Sequence, residues 1–143
     1  MKTFYMKKEN ALHRWYLIDA TDQVVGRLAG KISRILGGKD IPEYTPGVDN
    51  GNFVVVINCE KVKMTGRKPW NKKYHTHSGY PGALKVRTFQ HLMEKNPERI
   101  LLNAVKGMLP KNKLRDRFLA RLRIHKGTEH PYGSQKPEPV TLS

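Results

Sequence analysis

The residues best equipped to do chemistry lie in two runs of positive charge. Residues 61–73 read Lys-Val-Lys-Met-Thr-Gly-Arg-Lys-Pro-Trp-Asn-Lys-Lys, six cations and no acid. The cations are Lys61, Lys63, Arg67, Lys68, Lys72 and Lys73; Trp70 stands among them, and Tyr74, His75, His77 and Tyr80 follow. Ammonium and guanidinium groups meet phosphate oxygens, while flat rings stack on unpaired bases, so this interleaving suits RNA better than duplex DNA. The alternative is a solvated, flexible basic loop; the rings and the missing acids argue against it. Residues 106–126 hold eight cations, Lys106, Lys111, Lys113, Arg115, Arg117, Arg121, Arg123 and Lys126, against the single acid Asp116. Lys113, Arg117 and Arg121 are spaced i, i+4, i+8, which predicts one cationic ridge opposite an apolar stripe of Leu114, Phe118 and Leu122. Ordinary outer faces of helices mix signs; this one does not. Arg27, Lys31 and Arg34 make a weaker stripe, for which a plain solvated face serves equally well.

Catalytic readings find less support. The run Gly37-Gly38-Lys39-Asp40 has a Gly-Lys pair, but no Ser or Thr follows and the first glycine of a phosphate loop is missing. His75 and His77 form a His-x-His pair with no carboxylate or cysteine near them in sequence, and the neighbouring cations would repel a metal ion. No metal and no cofactor is expected. The competing class is an RNA-modifying or RNA-cleaving enzyme with His75 and His77 as acid and base; a third is an architectural DNA-binding protein. Cys59 ends an apolar run and reads as core. The acids are few and scattered, without a pair placed for acid–base or two-metal work.

Composition agrees with a polyanion partner. The chain has 143 residues, with 27 Lys and Arg against 12 Asp and Glu, for a formal net charge of +15. Such an imbalance works against the compact state unless a polyanion meets it. The charge is uneven: residues 1–50 are net +2, residues 51–100 net +7 and residues 101–143 net +6. No apolar run approaches the roughly 18 residues of a membrane span, and the N-terminal lysines have no apolar region behind them, so neither a membrane segment nor a secretory signal is expected. One cysteine excludes an internal disulfide framework and fits a reducing, cytoplasmic setting.

These side chains need a scaffold, and the hydrophobic pattern supplies one. Residues 15–20 read as a strand buried on both faces, and Thr21 and Asp22 offer N-cap chemistry for a helix. Leu28, Ile32, Ile35 and Leu36 form the apolar stripe of that helix over residues 25–36, and Gly37-Gly38 stops it. Residues 53–57, Phe-Val-Val-Val-Ile, read as a central strand, so strand, helix and strand predict a parallel βαβ unit. The connection at residues 39–52 is longer than that crossover needs. Residues 60–86 read as short strands and loops. Asn96, Pro97 and Glu98 open a further helix with Leu101, Val105 and Met108 inward, and Pro110 ends it. Another helix is expected at residues 112–120 and a last strand at residues 122–125. Residues 128–143 contain Pro131, Pro137 and Pro139 and only Val140 and Leu142 as aliphatics, so this tail is expected to find no order within its own domain and to extend along RNA, with His130, Tyr132 and Lys136 as contacts. The organisation is an N-terminal extension at residues 1–13, one domain at 14–127 and the tail at 128–143.

The ordered motifs also carry a resemblance. Val25-Gly26-Arg27-Leu28-Ala29, Tyr44-Thr45-Pro46 with Asp49 and Gly51, Thr65-Gly66-Arg67-Lys68 and His77-Ser78-Gly79-Tyr80-Pro81-Gly82 follow one another. The most specific run is Ala104-Val105-Lys106-Gly107-Met108-Leu109-Pro110-Lys111-Asn112, and Glu129-His130-Pro131 with Gln135-Lys136-Pro137 closes the pattern. From about residue 14 to 137 the chain resembles the bacterial form of the L-thirteen family of large-subunit ribosomal proteins. Two positions depart from it: Arg115 stands where members usually have glycine, and Tyr132 where a histidine is common. The resemblance implies an α/β fold, a three-layer α/β/α single domain with a small, mainly parallel sheet, an extended basic loop and a C-terminal tail. It implies large-subunit ribosomal RNA and neighbouring ribosomal proteins as partners, a ribosome-associated location, a part in early subunit assembly, and neither catalysis nor a small-molecule substrate. For some members it also implies repression of translation through messenger RNA. The RNA-contacting residues expected are those named in the two basic runs, apart from Lys126, together with Trp70, His75, His77 and His130.

Overall fold

Residues 2–141 are described by a computed structural model, with Met1, Leu142 and Ser143 outside the described residues. Two strands and the helix between them make the centre: β1 (Trp15–Asp19), α1 (Val25–Gly37) and β2 (Phe53–Ile57). β1 and β2 pair in parallel, Trp15 opposite Phe53 through Asp19 opposite Ile57, as a βαβ unit requires. Val54, Val55 and Val56 are completely buried, because β2 is flanked on both sides and β-branched residues fill a pleated surface without gaps. α1 presents Leu28, Ala29, Ile32 and Leu36 to this sheet, and Gly38 closes it in the left-handed region at φ 76°.

The remaining elements build outward from that unit. α2 (Lys68–Asn71) leads into an antiparallel ribbon, β3 (Lys73–Thr76) with β4 (Lys85–Thr88). α3 (Phe89–Lys95) and α4 (Pro97–Met108) follow, and α4 buries Ile100, Leu101 and Val105 against α1. α5 (Arg115–Ala120) returns the chain to β5 (Leu122–Ile124), parallel to β2, and β6 (Glu138–Pro139) lies parallel to β1, giving the sheet order β5-β2-β1-β6. The result is an α/β domain with a small parallel sheet, as expected.

Several local expectations are corrected. Only Ile18 and the residue after the strand, Ala20, are fully buried along β1; Trp15, Tyr16 and Leu17 are half-buried, because only the two-residue β6 covers that edge. Thr21 and Asp22 do not cap α1: its N-cap is Val24, and the Val25 N–H donates to Lys63 O at 3.0 Å. A neighbouring chain segment thus does what a capping side chain would do. Thr21 instead donates to the Asp19 carboxylate from both N–H and hydroxyl, and these bonds, with one from Asn58, hold the Asp19 carboxyl below its ordinary pKa. α3 was not anticipated; Thr88 Oγ1 caps it by accepting from His91 N–H at 3.4 Å. Asn96 makes no side-chain cap at α4, where Pro97 and the first-turn acid Glu98 mark the start as expected. Met108 faces outward, about half exposed, rather than inward.

The tail is the largest correction. Its backbone pairs with β1 at Tyr16–Glu138 and Leu17–Pro139, and Val140 N–H donates to Leu17 O at 2.9 Å. The Tyr132 ring lies 5.4 Å from Trp15, which stacks on Phe53 at 4.3 Å. Prolines are tolerated in β6 because it is an edge. The order comes from backbone pairing and one ring, neither of which leaves a hydrophobic period to read.

A candidate nucleic-acid interface

The first basic run folds into a turn, a single helical turn and half of the ribbon, not into a loose loop. Lys61 ends the 3-10 turn Cys59–Lys61, and Lys63 bridges the backbone to Val24. Gly66 turns the chain at φ 65°, which a β-carbon would disfavour, and α2 then carries Lys68 and Trp70. Lys61, Lys63, Arg67, Lys68, Lys72 and Lys73 are all exposed. Lys63 alone among them makes an ion pair, to Asp22 at 2.6 Å, with both side chains largely in solvent, where such a pair is worth little. Trp70 is 67% exposed and Tyr80 75%, two large rings with almost nothing of the protein to pack on. His75 and His77 are both exposed, His75 on β3 and His77 just beyond its end. His77 Nδ1 accepts from Gly79 N–H at 2.9 Å and shapes the turn beyond β3. Tyr74 is half-buried, its phenol pKa is raised by burial, and Lys72 Nζ lies 5.7 Å over its ring.

The second run divides. Lys106 is exposed on α4, Lys111 and Lys113 are exposed before α5, Arg117 is exposed on α5, and Arg123 is exposed on β5. Arg115 is half-buried with its Nε enclosed. The anticipated ridge of Lys113, Arg117 and Arg121 does not form, because α5 spans only six residues and Lys113 and Arg121 fall outside it. Arg121 turns inward and is engaged by the protein itself. Its Nη1 donates to Asp49 Oδ1 at 2.6 Å and to Gly51 O at 3.1 Å, its Nη2 pairs with Asp49 Oδ2, and its guanidinium lies 5.8 Å over Phe53. The two side chains are 12% and 11% exposed, so the fork clamps residues 39–52 to the sheet. Gly51 sits so close to Leu36 O that any β-carbon there would collide with it. His130 is also committed in part: its Nδ1 accepts from Tyr132 N–H at 3.2 Å beside the tail's ring stack.

The fold adds cations that sequence reasoning missed. Arg87 on β4 and Arg99 on α4 come beside Lys68, Lys72 and Tyr74 around a cleft of about 730 Å³. Neither belongs to a charge run; only the alternation Lys85-Val-Arg87 hinted at an exposed face. Arg27 and Arg34, part of the weaker stripe already read from the sequence, are exposed on α1, and Arg34 and Lys39 line a second hollow with Pro110 and Asn112 at the other end of that helix.

Among the described residues no three His, Cys, Asp or Glu side chains come together as a metal site. Cys59 is fully buried, and burial, with Glu98 and Glu60 nearby, pushes its thiol up to about 11, which leaves it inert at neutral pH. No helix of the described residues is long and apolar enough to cross a membrane.

Fold and surface together define a class: a small α/β domain that displays uncompensated cations and free rings. The sequence model of the family described as "Ribosomal protein L13" matches residues 13–131. The "Large ribosomal subunit protein uL13" of Picosynechococcus sp. is 50% identical to this chain over 143 residues, covering 100% of this chain and 95% of that protein. The protein of the same name from Nitratidesulfovibrio vulgaris is 48% identical, covering 100% and 99%. That of Aquifex aeolicus is 49% identical, covering 99% of each. The chain belongs to the ribosomal protein L13 family, a family of ribosomal proteins and not of enzymes.

Proposed function

We propose that this protein is a structural constituent of the large ribosomal subunit that binds large-subunit ribosomal RNA and supports early subunit assembly. The observation that carries the reading is the first basic segment: six exposed cations, one weakly paired, interleaved with the free rings of Trp70 and Tyr80. Cations so placed neutralise phosphate, and the rings stack on bases that leave a helix. The geometry favours two contact areas. The ribbon lies at the N-terminal end of α1, and the 106–117 segment with Arg34 and Lys39 lies towards its C-terminal end. Thirteen residues of helix separate these ends by about 20 Å at about 1.5 Å per residue, so one small domain can brace two RNA segments. Neighbouring ribosomal proteins complete the set of partners.

The test is filter binding of the purified protein to large-subunit RNA fragments and to duplex DNA across a salt series. About six or more phosphate contacts give a slope of about −4 or steeper for log affinity against log salt. A nearly flat slope, or equal affinity for duplex DNA, would remove this reading.

A further inference from the structure

The cleft beside Tyr74 is unlike the rest of the cationic surface, because it is concave and partly apolar. Its floor is partly apolar, with the half-buried Met64 and Ala104 among the side chains that line it. Its cations are Lys68, Lys72, Arg87 and Arg99, and no acid lines it. Four cations without an acid, drawn from α2 and the residue that follows it, β4 and α4, select an anion. An apolar floor with one aromatic ring selects something flat attached to that anion. The first turn of α1 also opens here. Its first intrahelical bond is Leu28 N–H to Val24 O, which leaves the amides of Gly26 and Arg27 before it, and a β-carbon built on Gly26 would meet nothing within 4 Å. The volume of about 730 Å³ lies within the range of about 300–1,000 Å³ for small-ligand sites and is far too small for a helix of RNA.

We propose that this cleft takes a single unpaired nucleotide extruded from the RNA, its base against Tyr74 and the apolar floor, its phosphate among Lys72, Arg87 and Arg99. The proposal rests on the RNA-binding reading above and gives it a discrete subsite. The exposed cations elsewhere hold backbone without regard to pairing; this site distinguishes an extruded nucleotide from a paired one. Tyr74 suits the role because its half-buried ring lines the cleft and already has a cation, Lys72 Nζ, 5.7 Å over its face. Stacking on one ring tolerates any base, so the site selects the extruded state and not a sequence.

That tolerance makes the test independent of which ribosomal nucleotide is involved. The probes are two RNA hairpins of equal length and charge, one fully paired and one with a single bulged nucleotide, titrated against the whole protein. The wild-type chain is expected to bind the bulged hairpin about tenfold more tightly, in keeping with one base stacked on one ring. Tyr74→Phe retains the preference. Tyr74→Leu, which preserves apolar volume in a half-buried position, reduces it to less than about twofold while binding of the paired hairpin is unchanged. Lys111→Ala weakens both hairpins equally, since it lies outside the cleft. Equal wild-type affinity for the two hairpins, with a steep salt dependence, would overturn the subsite and leave RNA binding standing; an acidic protein segment as the natural occupant gives that result. A bulge preference that survives in Tyr74→Leu would also overturn it. Failure to bind either hairpin would instead overturn the RNA reading beneath it.

Discussion

Residues 61–73 and residues 106–126 look alike by charge, yet the fold leaves one in solvent and draws part of the other inward. In the first, every cation stands in solvent, and the Trp70 ring among them is exposed. In the second, Arg121 turns inward to Asp49 and Gly51, Arg115 is half-buried, and only Lys106, Lys111, Lys113, Arg117, Arg123 and Lys126 face out. Charge density alone does not separate a cation left in solvent from a structural clamp. What separates them is whether a carboxylate from a distant segment reaches the guanidinium in a two-pronged geometry. Asp49 lies 72 residues from Arg121, so no local count of signs could have paired them.

Three perturbations bear on that contrast, and the largest is at the clamp. Arg121→Ala leaves the Asp49 carboxylate enclosed without its partner, and urea unfolding should register a loss of about 3 kcal/mol or more, the scale of breaking a buried pair. Asp49→Ala should cost a similar amount, and the double variant should cost clearly less than the sum. Additive losses would show that the two side chains do not act as a unit.

The tail comes next. Tyr132→Ala removes the ring that lies tilted against Trp15 and should lower stability by about 1 kcal/mol. In the free protein the Val140 amide, bonded to Leu17 O, should exchange more slowly than the exposed amides of residues 78–82. Exchange at equal rates would mean that β6 is not held by its own domain.

The smallest effect on stability is expected in the ribbon. Lys72→Ala with Lys73→Ala should stay within about 0.5 kcal/mol of the parent in the same urea titration, as exposed positions do. The same pair should flatten the salt slope of RNA binding by about 1 to 2. A large stability loss there would place these lysines with Arg121 as parts of the fold.

What could be read in advance follows from how local each signal is. The stripe Leu28, Ile32, Ile35 and Leu36 with Gly38 behind it carries α1 within a dozen residues, and Val54–Val56 announces a central strand by composition alone. The exposed half of the candidate site, from Lys61 to His77, was equally legible as a run. The unread parts depend on distant partners. β6 exists because two residues find the backbone of β1, α1 starts without a side-chain cap because Lys63 O receives its first amide, and the cleft gathers Arg87 and Arg99 from separate elements. α3 is short, and its inward side chains, Phe89 and Leu92, make too brief a stripe to stand out.

Membership of the large subunit can be measured directly. A tagged copy of the chain, expressed in cells and followed through a sucrose gradient at low magnesium, should sediment with the large ribosomal subunit and be released from it by high salt as its phosphate contacts are screened. Sedimentation at the top of the gradient, or with the small subunit, would contradict a structural place in the large one.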